Sequence, residues 1–117
     1  AEACNELGES REALDKLEMV RARARRTVHS ADMTVGLPEI TETGKEKLRE
    51  IIWNERRIEL ALEGHRFFDL IRADKVVPGY AEKMMKAHGK TNFSIAKHAT
   101  FFIPQKQVDI SQGVLKN

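Results

Sequence analysis

The sequence contains few of the residues that crosslink a chain or form flat platforms for ligands. Its single cysteine, Cys4, excludes an internal disulfide bond and any metal site built from several cysteines. Aromatic residues make up 6% of the chain, which leaves little material for stacking sugars or nucleobases. No apolar run approaches the roughly 20 residues of a membrane-spanning helix. These shortages exclude disulfide-bonded and cysteine-rich metal-binding proteins and disfavour a membrane-spanning one.

The composition is that of a charge-rich helical protein, with 32% charged and 41% hydrophobic residues. A net charge of +2 is too small to indicate nucleic acid or an acidic membrane as partner. Ala1 to Gly8 includes neither an initiator methionine nor a signal peptide, and its pattern is that of a helix end stopped by glycine. We therefore expect residues 1–117 to be a single-domain fragment of a larger protein.

Apolar periodicity predicts two long helices. The first runs from about Arg11 to Arg26 with Ser10 as its N-cap, and with the preceding stub it forms a tetratricopeptide-like hairpin around Gly8. A second copy at the ~34-residue period of such repeats is not visible. Gly and Pro then indicate a loop between Thr27 and Thr43.

The second long helix begins at a capping box of Thr43 and Glu46 and continues through Leu62, and Gly64 ends or kinks it. Short helices follow over Arg66–Ala73 and Tyr80–His88. Phe93, Ile95 and the run from Phe101 to Pro104 look extended, although Pro104 can also start a helical turn through Gln107, and the tail after Ile110 is irregular. The predicted fold is mainly α: a tetratricopeptide-like helical hairpin plus a long helix with an irregular C-terminal segment.

The segment from Glu55 to Arg72, the charged block, interleaves eight charged side chains with apolar residues. Glu55, Glu59 and Glu63 stand at i, i+4 and i+8 and would line one helical stripe. Such a stripe could bind a metal or hold paired acid–base carboxylates. Flanking arginines and the two-residue step from Glu63 to His65 favour ion pairs between helices and loops instead. The predicted structural motif comprises Glu55, Arg56, Glu59, Glu63, Gly64, His65, Arg66, Asp69 and Arg72, with no catalytic or metal-binding residue.

Within this block, Arg66 and Asp69 are three residues apart, as are Asp69 and Arg72, so each pair can form a salt bridge along a helix. Neighbouring Phe67-Phe68 and Leu70-Ile71 leave few exposed directions on that turn. We expect the Arg66–Asp69 pair to be buried.

Other candidate sites have simpler explanations. The four arginines between Val20 and Arg26 could contact nucleic acid, but cations at a helix C-terminus also complement its dipole. Trp53 and Tyr80 could each form a sugar platform, although packing is the favoured role. Neither a phosphate-binding loop nor a Ser/His/Asp assembly is evident, so we expect no enzyme activity and no cofactor.

Four blocks of the sequence, taken together, are distinctive. They are Ala1-Glu2-Ala3 with Asn5-Glu6-Leu7-Gly8; Glu12-Ala13-Leu14 with Val20-Arg21-Ala22-Arg23-Ala24; Glu55-Arg56-Arg57-Ile58-Glu59-Leu60 with Glu63-Gly64-His65-Arg66-Phe67-Phe68-Asp69-Leu70-Ile71-Arg72; and Ile103-Pro104-Gln105. In order and spacing these blocks resemble the C-terminal part of the SusD/RagB family. After Arg72 the family usually continues with an aromatic residue and glycine, where this chain has Ala73-Asp74.

The resemblance implies a nutrient-uptake lipoprotein on the surface of the bacterial outer membrane. Such proteins bind oligosaccharides without catalysis and cap a SusC-like TonB-dependent transporter. Their sugar contacts come mainly from regions upstream of the matched part, so no ligand residue is transferred to this chain, and nucleic acid is not an expected partner. A tetratricopeptide-like adaptor that binds proteins and no glycan is the alternative.

Overall fold

A computed structural model of the chain describes residues 1–27 and 37–116. Its regular structure over these residues is helical throughout, which confirms the predicted mainly α class. The chain divides into two compact units, Ala1–Leu62 and Glu63–Asn117. The expectation of one domain stays a prediction. The helices are α1 Glu2–Leu7, α2 Ser10–Thr27, α3 Lys45–Glu59, α4 Arg66–Val76, α5 Tyr80–Ala87, α6 Ile95–His98 and α7 Gln105–Ile110.

The predicted hairpin at the start of the chain is present. Gly8 has a φ of 85°, a left-handed conformation that glycine adopts without steric cost, and its N–H bonds back to the end of α1. Ser10 is the first residue of α2 and not its N-cap. Its hydroxyl instead donates a hydrogen bond of 3.1 Å to the carbonyl of Thr43. The side chain predicted to cap a helix therefore joins that helix to the segment before α3.

Both ends of α3 differ from the prediction. The capping box is wrong because Gly44 is the N-cap, without a side-chain cap, and its own N–H donates to Glu42 Oε1 at 2.7 Å. The helix ends at Glu59 rather than at Leu62, which has a φ of 69° and a fully exposed side chain. The predicted loop after α2 is confirmed from Leu37 to Thr43, and residues 28–36 lie outside the described residues.

The core of the first unit is small and aliphatic. Ala13 and Leu17 of α2 pack with Leu48 and Ile52 of α3, and all four are buried. Cys4 of α1 packs against this cluster as a small apolar side chain. The buried positions are four residues apart on each helix, so one stripe of each faces the other.

The second unit is built around α4 and α5, with Leu70, Ala73 and Ala81 buried. Gly79 turns the chain between them with a φ of 85°, and Asp74 Oδ1 accepts a hydrogen bond of 2.9 Å from the N–H of Ala81. The predicted extended stretch is wrong at Ile95–His98, which forms α6. Among the described helices, none has both the length and the apolar character that crossing a membrane requires.

The buried position of Leu48 generates a stability prediction. Leu48→Ala should lower the free energy of unfolding by about 2–5 kcal/mol, because it leaves a cavity at a fully buried site. Leu7→Ala removes the same atoms from a side chain that is 76% exposed, and it should change the free energy of unfolding by less than about 0.5 kcal/mol. Urea unfolding of both variants measures the difference, and equal effects would contradict this core.

Candidate functional site

Two side chains of α1 bond to two side chains of α3 at matched spacing. Trp53 Nε1 donates to Glu2 Oε1 at 2.8 Å. One turn earlier on α3, Arg49 donates two bonds to the carboxylate of Glu6, at 2.5 and 2.8 Å. Since position 2 faces position 53 and position 6 faces position 49, the two helices run antiparallel.

The contact between Glu6 and Arg49 shifts the pKa of both side chains. The hydrogen bond from Arg49 holds the pKa of Glu6 below its ordinary value of 4.5, with a smaller contribution from Lys45, whose Nζ lies 3.4 Å from the carboxylate. The same hydrogen bond, which the carboxylate of Glu6 accepts, raises the pKa of Arg49. A bidentate contact between a guanidinium and a carboxylate favours the charged form of both groups.

On the other side of α3, the arginines of α2 meet its glutamates. Arg21 Nη1 lies 2.5 Å from Glu55 Oε2, and only 9% of the arginine side chain and 14% of the glutamate side chain are exposed. One turn further along α3, Glu59 pairs with Arg23. These two pairs and Glu6–Arg49 are called the charge lattice below. It ties both helices of the hairpin to α3.

The arginines of α2 also hold the backbone that leads toward α3. Arg21 Nη2 donates to the carbonyl of Pro38 at 2.9 Å, and Arg25 Nη1 donates to that of Leu37 at 2.9 Å. Arg25 also forms an ion pair with Glu18 on its own helix. Arg21, Arg23 and Arg25 of the arginine-rich run therefore bind groups within the chain, which the helix-dipole interpretation did not predict.

The structure corrects the predicted carboxylate stripe. Glu55 and Glu59 lie on one face of α3, but Glu63 does not continue the face because the helix has ended four residues before it. Both helical carboxylates are within ion-pair distance of arginines, an arrangement that opposes the binding of a hard cation. Arg56, on the same helix, is exposed.

The remaining predicted motif residues belong to the second unit. Glu63, Gly64 and His65 are exposed and precede α4, with Gly64 at a φ of 77° and His65 Nε2 lying 4.0 Å from Glu63 Oε2. On α4, Arg72 Nη2 lies 3.5 Å from Asp69 Oδ1, and Arg66 and Asp69 are half-buried. The role of the nine residues as structural determinants stays a prediction, as does the Arg66–Asp69 pair.

Three residues with defined contacts were missed from the sequence: Arg21, Arg49 and Asp74. A signal for Arg49 existed, because Glu2 and Glu6 are four residues apart, as are Arg49 and Trp53, and the two stripes are chemically complementary. Asp74 stands where the resemblance led us to expect a glycine, and its carboxylate bonds to the first turn of α5.

The proposed sugar platforms and a small group of possible metal ligands were located as well. Trp53 is buried, and the guanidinium carbon of Arg49 lies 6.0 Å from its ring centroid, so the indole is part of the packing. Tyr80 is half-buried. Cys4, Glu9 and Glu12 have potential ligand atoms within 4.8 Å of one another, but both carboxylates are exposed and Cys4 packs on the core.

The hairpin and its long partner helix, joined by the charge lattice, define a mainly α-helical protein over the described residues. A family model described as the SusD family matches residues 1–117, and the chain belongs to that family. SusD-like protein P38 of Formosa agariphila is 38% identical over 79 residues, which cover 66% of this chain and 15% of that protein. The chain therefore matches only a small part of the relative's length. No solved structure matches the chain.

The buried Arg21–Glu55 pair generates a second stability prediction. Arg21→Met should lower the free energy of unfolding by about 3–5 kcal/mol, because it leaves the Glu55 carboxylate buried without its partner. The double variant Arg21→Met/Glu55→Leu should regain most of that loss. Lys16→Met, which breaks the exposed Lys16–Glu12 pair, should cost less than about 0.5 kcal/mol. A double variant no more stable than the single one would refute the explanation.

The lowered pKa of Glu6 predicts a pH dependence. The folded state holds this carboxylate charged to lower pH than the unfolded chain does, so the pair stabilises fully above about pH 4.5. This stabilisation is lost as the pH falls from 4.5 through the lowered pKa. The difference in unfolding free energy between the protein and Glu6→Gln should therefore shrink on acidification. The exposed Glu12→Gln serves as the control, and a difference independent of pH would contradict the assignment.

Proposed function

We propose that this chain is the C-terminal scaffold part of a non-catalytic glycan-binding protein that serves nutrient uptake at the bacterial outer membrane. The observation that carries the proposal is the family match along residues 1–117, supported by 38% identity to a SusD-like protein. The fold is consistent with it, since a helical hairpin against a long helix suits a tetratricopeptide-like scaffold.

The distribution of bonding groups supports a scaffold role in the first unit. Arg21, Arg49 and Trp53, whose side chains could recognise a sugar, bond instead to groups of the same unit. A side chain that fixes one helix against another cannot reorient toward a ligand without losing that contact. We infer that oligosaccharide contacts come mainly from other regions of a full SusD-like protein.

In this role the chain carries out no catalytic step. Hydrolysis of a glycosidic bond uses two carboxyl groups facing one another across the substrate. Glu55 and Glu59 instead face arginines of α2. The expected partner is a SusC-like TonB-dependent transporter and the expected location is the outer membrane, as a surface lipoprotein. Both expectations are drawn from the family.

A protein-binding adaptor is the second candidate, because α1 and α2 form a helical hairpin of the kind that repeat proteins use to bind peptides. Calorimetry separates the two. The full product of the gene that encodes this chain should bind at least one oligosaccharide of a neutral and acidic panel saturably, and it should copurify with a co-expressed SusC-like transporter. Saturable binding to a protein partner alone, without any glycan, would favour the adaptor.

A variant within the charged block tests the scaffold assignment separately. His65 is exposed and contributes its backbone carbonyl to the first turn of α4, so His65→Gln should leave the fold intact. The dissociation constant of the variant for the glycan should stay within about twofold of that of the unchanged protein. A loss of tenfold or more at an unchanged melting temperature would place a ligand contact in the block and overturn its role as scaffold.

A further inference from the structure

Positive charge is unevenly distributed along the chain. From Lys83 to Val108, here called the basic segment, there are five lysines and no aspartate or glutamate. The rest of the chain carries 15 lysines and arginines against 18 acidic residues. The near-neutral total therefore hides one segment with a charge of +5, which contains most of α5, all of α6 and the start of α7.

The lysines of the basic segment differ from those of the first unit in their surroundings. Lys16, Lys45 and Lys47 each have a glutamate oxygen within 4.0 Å. In the described part of the chain, none of the five lysines of the basic segment has an ion-pair partner, and all five are exposed. The nearest acidic residue in sequence, Glu82, is half-buried and accepts a hydrogen bond of 3.1 Å from the N–H of Ile95.

A cavity of about 320 Å³ lies within this segment, between the end of α5 and α6. Among the residues that the structure describes, its lining includes Lys90, Thr91, Asn92, Phe93 and His98, and none of the lining residues carries a carboxylate. Ligand pockets of proteins begin at roughly 300 Å³, so the space suits one sugar ring or a similar group.

The backbone around the cavity is held in place by local contacts. Gly89, with a φ of 78°, ends α5, and the N–H of Lys90 bonds to the carbonyl of Met85 at 2.9 Å. His98 stacks on Phe93 with ring centroids 5.4 Å apart, and its Nδ1 lies 2.9 Å from the carbonyl oxygen of Ser94. The polar lining residues are thereby presented by a loop anchored at both ends.

The chemistry of the lining selects an anionic, hydroxylated ligand. An ammonium group, an amide and a hydroxyl supply hydrogen-bond donors, and the absence of acidic lining residues removes repulsion toward a negative charge. We propose that this cavity is a binding site for the acidic ring of a saccharide that bears a carboxylate or sulfate group. The inference rests on the proposed function, which it deepens by naming a class of glycan.

Chemical-shift mapping on the full 117-residue chain tests the site. The probe is tetragalacturonate, and its fully methyl-esterified form supplies the same rings without charge. Tetragalacturonate should shift the amide signals of residues 89–98, and the ester should bind at least about fivefold more weakly. Lys90→Gln should weaken binding of the acid by roughly fivefold, the upper range for an exposed ion pair, and Asn92→Ala should also weaken it.

Lys47→Gln is the matched control, since it removes the same charge from an exposed lysine outside the basic segment and should leave the affinity unchanged. Equal weakening by Lys47→Gln and Lys90→Gln would reveal unspecific charge attraction and overturn the site. Equal affinity for inorganic sulfate, or saturable binding to phosphatidylglycerol vesicles in place of tetragalacturonate, would also overturn it. If this site fails while the full gene product still binds neutral oligosaccharides, the proposed function stands without the acidic ligand.

Discussion

The first unit depends on the buried ion pair between Arg21 and Glu55. The guanidinium of Arg21 donates one hydrogen bond to Glu55 of α3 and a second, from its other terminal nitrogen, to the carbonyl of Pro38. One side chain therefore joins α2, α3 and the segment that precedes α3. Bringing two charges out of water is costly, and only their close contact offsets that cost. When both partners are present, the pair fixes how the two helices meet. When one partner is removed, the other is left as an unpaired charge in an apolar setting.

The apolar core and the charge lattice contribute in different ways. Ala13, Leu17, Leu48 and Ile52 supply the main driving force, but burial of aliphatic surface is non-directional and tolerates small shifts between helices. The hydrogen bonds that Glu6 accepts from Arg49 and Glu2 accepts from Trp53 tolerate much smaller shifts between the helices, because their geometry is specific. Two anionic positions one turn apart on α1 match two donors one turn apart on α3, which selects one antiparallel register.

This use of charge bears on function. In the first unit, arginines and glutamates largely bind one another, as expected of a scaffold. In the second unit, the basic segment has lysines with no ion-pair partner among the described residues, beside a cavity without acidic lining. The proposed role in glycan binding gives this contrast a meaning, since a surface left with one sign of charge attracts ligands of the other sign.

Much of the fold followed from local patterns in the sequence. The apolar spacing identified the two long helices, and Gly8 marked a turn that the structure forms with a positive φ. The charged block carried the resemblance to the SusD family that the family match confirms. The ends of α3 were mispredicted. Gly44 rather than Thr43 is the N-cap, and the helix ends at Glu59, before Leu62 takes a positive φ that local helix propensity does not predict.

What only the tertiary structure decided is which charges meet. The sequence indicated that Glu55 and Glu59 should form ion pairs between helices and loops, but it did not identify the partner residues. The partner of Glu55 is Arg21, 34 residues away, because helical spacing constrains contacts only over three or four residues while the packing of α2 against α3 sets the rest.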